Sequence, residues 1–128
     1  MNKIKTALLQ TKVYDNKLKN IEKSIKLIKK VSREGADIAI LPEMFCCPYD
    51  NAFFKEYGEE ENGPAYRALS DAARDNNIYV VGGTIPELDG DKVYNTSYVF
   101  DRGGKQIGKH RKMHLFDIDI EGGQYFKE

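Results

Sequence analysis

The sequence predicts an α/β protein with a mixed sheet, in the order βαβαβββ. Three observations support this fold class. Short apolar runs have the length of buried strands, an amphipathic stretch with helical spacing lies between the first two of them, and the later strand-like runs are divided by turn signals. The 128 residues suffice for one domain and are too few for two full domains, and 41% hydrophobic residues argue against disorder.

The first half of the chain predicts a strand, a helix and a second strand. Ile4 to Leu9 is an apolar run typical of a buried first strand. Apolar residues then recur at helical spacing with lysines between them, at Leu18, Ile21, Ile25, Ile28 and Val31. Asp15 or Asn16 can cap the start of this helix, and Gly35 ends it. Asp37 to Leu41 is the second predicted strand.

The middle of the chain predicts an irregular segment, a helix and a strand. Residues 43–63 contain aromatic residues but no clear period. Pro64 suits the first position of a second helix, which Gly63 or Asn62 can cap. Residues 78–85 are interpreted as a third strand, in which paired glycines at positions 82 and 83 weaken the strand and indicate that something else approaches its backbone closely.

The last third predicts further strands joined by turns. Leu88 to Lys92 contains Asp-Gly, a hairpin turn signal, and Val93 to Phe100 is the fourth strand. Asp101 to Gly104 is a turn, and Lys105 to His110 is the fifth strand. Phe116 to Glu128 is acidic and Gly-rich and offers no element that could close a core. We therefore expect the chain to be the front part of a longer protein.

Composition excludes several function classes. Lys plus Arg is 20 and Asp plus Glu is 20, whereas a nucleic-acid binder needs a clustered basic excess. No apolar stretch approaches the roughly 20 residues that cross a bilayer. The apolar run at the start of the chain is too short for a secretory signal. The cysteines, Cys46 and Cys47, are adjacent and cannot form a disulfide framework. We expect a cytoplasmic protein without nucleic-acid or membrane partners.

Glu43 is the first candidate for chemistry. It follows Leu41-Pro42 at the carboxyl end of a predicted buried strand, where open α/β sheets bind ligands. A partly shielded carboxylate at this position can act as a general base or acid. The alternative is a helix cap or a solvated loop carboxylate, and spacing alone favours that alternative.

Lys112 is the second candidate. It lies in a basic run, Lys109 to His114, that leads directly into the apolar residues Leu115 and Phe116. One side chain of this run can therefore point inward, and a buried lysine near a carboxylate can stabilise a developing oxyanion. A solvated charge run is the usual explanation of such a cluster. His110 and His114 have the spacing of a metal pair on a helix, but the local sequence predicts strand and loop, so no metal site is predicted.

Cysteine and aromatic residues of the segment after Glu43 allow two interpretations each. Cys46 and Cys47 could be nucleophiles, but no histidine lies near them in sequence, and burial as small hydrophobic residues is favoured. The nearby aromatic residues could form core or line a pocket; they are Tyr49, Phe53, Phe54 and Tyr57. Walker, GxGxxG and GxSxG motifs do not occur in the sequence, which removes the usual support for nucleotide-binding and serine-hydrolase functions.

Four blocks of sequence follow one another in a characteristic order between residues 36 and 117. They are Ala36 to Phe45, Val81 to Glu87, Tyr94 to Phe100 and Gly108 to Asp117. Together they resemble the nitrilase superfamily, the carbon–nitrogen hydrolases, with Glu43 in the first catalytic block and Lys112 in the second. The extension Leu-Phe-Asp-Ile-Asp at residues 115–119 is most similar to the omega-amidase branch of that superfamily.

The resemblance implies a fold and a set of site residues. The fold is an αββα sandwich, of which residues 1–128 would form the amino-terminal part of a single domain. The chemistry is a Glu–Lys–Cys triad in which Glu43 matches the general base and Lys112 the triad lysine, so the two side chains should meet. Glu128 falls where the family carries a second glutamate. The nucleophilic cysteine is expected downstream of this chain, because neither Cys46 nor Cys47 fits its motif.

The activity that the resemblance implies is hydrolysis of a small ω-amide with release of ammonia. The substrate is a small molecule, no metal or organic cofactor is needed, and the family leads us to expect a homo-oligomer. The first 128 residues alone would lack the nucleophile. The alternative from a different class is a non-catalytic α/β binding or interaction module that retains the front half of the fold.

Overall fold

The computed structural model describes residues 2–119 and 125–127. Within these residues the elements are β1 (Thr6–Leu8), α1 (Lys17–Arg33), β2 (Ile38–Ile40), α2 (Asn51–Tyr57), α3 (Pro64–Asp75), β3 (Tyr79–Val81), β4 (Ile85–Asp89), β5 (Lys92–Phe100), β6 (Gln106–Arg111), β7 (Asp117–Asp119) and β8 (Tyr125–Lys127). The predicted α/β class is confirmed, with one additional helix and a different division of the strands.

The main sheet is mixed, as predicted. β1, β2 and β3 are parallel, because a helix-containing crossover joins each to the next. β3 and β4 both pair antiparallel with β5, through Val81 with Val99 and Ile85 with Thr96. β6 lies antiparallel on β5 as well. β7 and β8 form a separate antiparallel pair in the segment where no element was predicted.

Side-chain alternation divides the sheet into a covered face and an uncovered face. Ala7, Ala39 and Val80 are in register and belong to the core beneath the helices. Their neighbours point the other way, and Leu8 on this second face is 74% exposed. The buried core includes Leu9, Ile21, Ile28, Ala39, Leu41, Phe45, Leu69, Ile78, Val80, Tyr98 and Phe100. Helices α1 and α3 therefore cover one face, and within the described residues the other face is open.

The helix ends follow the predicted signals, and the structure decides between the alternative caps. Asn16, rather than Asp15, caps α1, because its side chain accepts a hydrogen bond from the N–H of Lys19 at 2.9 Å. α3 begins at Pro64 with Gly63 at the cap position. Glycine offers no side-chain acceptor, and the buried carboxylate of Glu59 instead accepts hydrogen bonds from the first N–H groups of the helix.

The prediction that residues 43–63 lack regular structure was wrong. They contain α2, a helix of seven residues whose cap, Asp50, accepts a hydrogen bond from the N–H of Ala52 at 2.9 Å. Phe54 and Tyr57 of this helix are buried against Met44 in a small satellite core. The helix is too short to show a helical period in the sequence, and its stability depends on this tertiary packing.

The prediction of a continuous strand over residues 78–85 was also wrong. β3 ends at Val81 and β4 begins at Ile85, and both lie along the same partner, β5. The break falls at Gly83, which has a φ of 57°. A Cβ atom on Gly83 would lie 2.0 Å from the carbonyl oxygen of Pro42, so the close backbone approach that the glycines indicated is confirmed. That approach interrupts the strand.

None of the helices in the described part of the chain is both long enough and apolar enough to span a membrane.

Candidate active site

Glu43 and Lys112 meet although 69 positions separate them in the sequence. Lys112 Nζ donates a hydrogen bond to Glu43 Oε1 at 2.9 Å, and the pair is a salt bridge. Glu43 lies in the turn that follows β2, and Lys112 lies directly after β6. The Lys112 side chain is 28% exposed and that of Glu43 is 45% exposed. The predicted proximity is thus confirmed, and the pair is accessible to a ligand.

The pairing of β5 with β6 determines the direction in which the Lys112 side chain points. Its N–H donates to the carbonyl oxygen of Asn95 at 2.8 Å, which extends the β5–β6 ladder by one residue. The preceding pair in the register is Thr96 with Arg111, and these side chains lie on the helix-covered side. Because side chains alternate along a strand, Asn95 and Lys112 point together to the uncovered face. The candidate site therefore lies on that face.

Asn95 is a site residue that the sequence analysis did not single out. Its Nδ2 donates to Glu43 Oε1 at 2.7 Å, so the same carboxylate oxygen accepts from Asn95 and from Lys112. Asn95 is only 4% exposed. Asparagine is depleted in strands, and its presence inside an otherwise strand-favouring block was the signal that could have identified it.

Tyr49 also contacts the pair. Lys112 Nζ donates to its phenolic oxygen at 3.3 Å, and that oxygen lies 3.5 Å from Glu43 Oε1. Of the aromatic residues after Glu43, Tyr49 reaches the site, whereas Phe54 and Tyr57 are buried in the satellite core. The core interpretation is therefore confirmed for Phe54 and Tyr57, whereas the pocket interpretation stays a prediction for Tyr49.

Cys46 and Cys47 lie close to Glu43 in sequence but are fully buried free thiols. Burial raises the pKa of each thiol to about 12, against a smaller opposing effect of the Lys17 ammonium. At neutral pH both thiols are therefore protonated, and a protonated buried thiol is a poor nucleophile. This environment agrees with their interpretation as small hydrophobic core residues.

The face of the sheet opposite the site carries a buried ionic cluster around Glu87. Glu87 is 2% exposed and accepts hydrogen bonds from Thr96 at 2.6 Å, from Lys109 at 2.5 Å and from Arg111 at 2.9 Å. Burial by itself would raise the pKa of Glu87, but the hydrogen bonds from Arg111, Lys109 and Thr96 outweigh burial and lower it from 4.5 to about 2. The cluster joins β4, β5 and β6.

Neither histidine candidate joins this site, and the third remaining candidate cannot be placed among the described residues. His110 lies in β6 and His114 in the following bend, both exposed, so they do not form a pair on one helix. Across the described ranges, no group of three or more His, Cys, Asp or Glu side chains is arranged to hold a metal ion. Glu128 lies outside the described residues, and its role stays a prediction.

Comparison with known proteins identifies similar chains. The family model described as carbon-nitrogen hydrolase matches residues 5–128. Omega-amidase NIT2 of Danio rerio is 44% identical over 128 residues, which is 100% of this chain and 46% of that protein. Nitrilase homolog 2 of Dictyostelium discoideum is 44% identical over 126 residues, which is 97% of this chain and 38% of that protein. The chain thus spans less than half the length of these relatives.

Solved structures agree with this comparison. The crystal structure of Saccharomyces cerevisiae Nit3, a member of branch 10 of the nitrilase superfamily, matches with a TM-score of 0.80 and 39% identity, over 88% of this chain and 45% of that one. The C. elegans NitFhit protein matches with a TM-score of 0.79 over 96% of this chain and 31% of its own, and at 21% identity it shows the fold alone. The chain therefore has the front part of the fold of these proteins.

Proposed function

Because the chain belongs to the carbon–nitrogen hydrolase family, we propose that the protein it forms part of hydrolyses the amide bond of a small ω-amide and releases ammonia. The observation that carries this proposal is the contact between Glu43 and Lys112, which places a carboxylate and an ammonium 2.9 Å apart on an open face of the sheet. The choice of an ω-amide is supported by the 44% identity to a protein named omega-amidase over the full length of this chain.

In the proposed mechanism, a cysteine thiolate attacks the amide carbonyl carbon and a tetrahedral oxyanion forms. Glu43 accepts the thiol proton as the general base. The ammonium of Lys112 stabilises the negative charge that develops on the carbonyl oxygen. When the carbon–nitrogen bond breaks, Glu43 returns the proton to the departing nitrogen, ammonia leaves, and a thioester remains.

Water then completes the reaction. Glu43 takes a proton from the water molecule as its oxygen attacks the thioester carbonyl carbon. The carbon–sulfur bond then breaks, the carboxylic acid leaves, and Glu43 returns the proton to the departing thiolate. Glu128 would help to hold this water. Asn95 and Tyr49 support the step because their contacts orient the Glu43 carboxylate and the Lys112 ammonium. No metal ion and no organic cofactor takes part in the proposed steps.

The nucleophile in this proposal is a cysteine outside the 128 residues. The buried environment of Cys46 and Cys47 supports this assignment, since a thiol with a pKa of about 12 is a poor candidate for the thiolate. We further propose that the whole protein is cytoplasmic and forms a homo-oligomer. The alternative, a non-catalytic binding module, has no observation among the described residues that favours it over the hydrolase.

The substrate class is tested by ammonia release from the protein at the length of its relatives. The panel contains α-ketoglutaramate as the ω-amide and an N-carbamoyl amino acid as the competing class. We expect rapid release from the ω-amide, slow release from the carbamoyl compound, and retained activity in Cys46→Ala and Cys47→Ala. Absence of hydrolysis of any amide would support the binding module, and loss of activity in one of these cysteine variants would identify that cysteine as the nucleophile.

A further inference from the structure

We propose that Thr84 is a positioning residue for Glu43 and acts through the backbone of the turn at residues 42–45. The inference rests on the proposed function, in which Glu43 is the general base. Thr84 lies between β3 and β4, directly after the glycine that is pressed against this turn. It is remote from Glu43 in sequence, and its contacts are to the residues on both sides of Glu43.

The hydrogen bonds of Thr84 bracket Glu43. The Thr84 N–H donates to the carbonyl oxygen of Pro42 at 3.3 Å, and the Thr84 carbonyl oxygen accepts from the N–H of Phe45 at 3.3 Å. The Thr84 hydroxyl oxygen accepts from the N–H of Met44 at 2.8 Å. The hydroxyl bond is the shortest of these contacts, and it is the contact that a side-chain substitution can remove.

Met44 has a backbone conformation that requires such support. Its φ is 49°, in the left-handed region that residues with a side chain seldom adopt. Met44 is also buried in the satellite core. Because Met44 follows Glu43 directly, a return of its φ to ordinary values would reorient the peptide that joins the two residues, and the Glu43 carboxylate would move away from Lys112.

The backbone just before Thr84 is packed tightly against the turn at residues 42–45. Gly83 has a φ of 57°, and a Cβ atom there would lie 2.0 Å from the carbonyl oxygen of Pro42 and 2.8 Å from that of Leu41. The chain before Thr84 is therefore in direct backbone contact with the turn. This contact holds the Thr84 hydroxyl opposite the Met44 N–H, and the geometry points to Thr84 as the group that maintains the left-handed residue beside Glu43.

The test compares Thr84→Val and Thr84→Ser in the protein at the length of its relatives. Valine replaces the hydroxyl with a methyl group, whereas serine keeps the acceptor. We expect Thr84→Val to lower kcat by about tenfold to a hundredfold with little change in KM, since a small misplacement of a catalytic group has an effect of this order. Thr84→Ser should restore kcat to near the wild-type value. If Thr84→Val does not fold, Thr84→Ala is measured in its place.

A matched control separates positioning from stability. Thr96→Val removes a buried hydroxyl that donates to Glu87 on the opposite face of the sheet. It should lower the midpoint of unfolding while kcat stays near the wild-type value. Wild-type kcat in Thr84→Val, or equal losses of kcat in Thr84→Val and Thr96→Val, would overturn the proposal.

A second measurement does not depend on activity. A crystal structure of Thr84→Val should show Met44 with a negative φ and a Glu43–Lys112 distance longer than hydrogen-bond range. If the wild-type protein hydrolyses no ω-amide but this displacement occurs, the proposed function fails and the positioning role stands. If Met44 keeps its φ and Glu43 stays in contact with Lys112, the positioning role fails whatever the activity.

Discussion

At the scale of single residues, the candidate site depends on the contact between the Lys112 ammonium and the Glu43 carboxylate. Lys112 Nζ contacts Glu43 Oε1 at 2.9 Å and the Tyr49 hydroxyl at 3.3 Å. An ammonium held at a fixed position costs little reorganisation when charge develops on a nearby oxygen. In the proposed mechanism its contribution to catalysis should therefore exceed its contribution to folding, since a partly exposed ion pair adds little to stability.

Lys112→Ala should accordingly abolish most turnover without unfolding the protein. Loss of one oxyanion donor typically costs about 3 kcal/mol of transition-state stabilisation, or roughly a hundredfold or more in rate. The measurement is kcat for ammonia release, beside the midpoint of denaturant unfolding. Lys105→Ala is the matched control, because Lys105 is an exposed lysine just before β6. Similar turnover in both variants would mean that the basic run is only a solvated surface.

The residues of the site were predictable to different degrees. Glu43 and Lys112 were found through the resemblance of their blocks, whereas spacing alone favoured a solvated carboxylate. Asn95 and Thr84 were missed as site residues because their hydrogen bonds join positions 52 and 40 residues apart, which no local pattern encodes. Catalytic roles stay predictions, since proximity alone does not establish them.

At the scale of elements, the contact between the β3–β4 break and the turn after β2 can be tested with two glycines. Gly83 and Gly90 both have a positive φ, but a Cβ atom on Gly90 would meet nothing within 4 Å. Gly90→Ala should therefore cost only about 1 kcal/mol, the cost of the left-handed conformation. Gly83→Ala adds a collision with the Pro42 carbonyl and should cost about 3 kcal/mol or more. Equal losses in denaturant melts would contradict this account of the break.

The Glu87 cluster predicts a specific dependence of stability on pH. The pKa of Glu87 is lowered from 4.5 to about 2 on folding, so its stabilising effect is complete above pH 4.5 and is lost as the pH falls toward 2. The shift corresponds to roughly 3 kcal/mol. The free energy of unfolding of Glu87→Gln should therefore fall less over this range than that of the wild type, whereas Glu60→Gln, at an exposed glutamate, should follow the wild type. Parallel curves for wild type and Glu87→Gln would refute this role.

The elements were predictable where local signals dominate. The long amphipathic period identified α1, and Asp-Gly identified the turn between β4 and β5. The limits of the strands were not predictable, because β3 ends where another part of the chain presses against Gly83. α2 was missed because its seven residues are held by packing against Met44 rather than by their own period.

At the scale of the whole molecule, the described part of the chain has a sheet with helices on one face only. Leu8 and Tyr79 are exposed on the other face, which also carries the candidate site. Exposed apolar surface and unpaired sheet edges favour association. The αββα arrangement that the resemblance implied would cover this face with a second sheet. The described chain matches less than half of each solved structure, and it has the fold of their front part.

Residues 1–128 expressed alone should therefore be marginally folded or aggregation-prone and should hydrolyse no ω-amide. The nucleophile of the proposed mechanism is not among them, and neither Glu43 nor Lys112 can replace a thiolate at neutral pH. Size-exclusion chromatography, a denaturant melt and an ammonia-release assay check these expectations together. A monomeric, cooperative melt without activity would favour a stand-alone binding module, and ammonia release that is lost in Cys46→Ala would contradict the assignment of the thiols.

The most direct test of the central claim is the kcat of Glu43→Gln for α-ketoglutaramate, measured in the protein at the length of its relatives. Glutamine keeps the shape of the side chain but cannot accept a proton from the thiol. If Glu43 is the general base, kcat should fall by about a hundredfold or more, as is typical for the loss of a general base, while the unfolding midpoint stays near the wild-type value. Wild-type kcat in Glu43→Gln would show that the Glu43–Lys112 pair is a structural salt bridge and would remove the proposed mechanism.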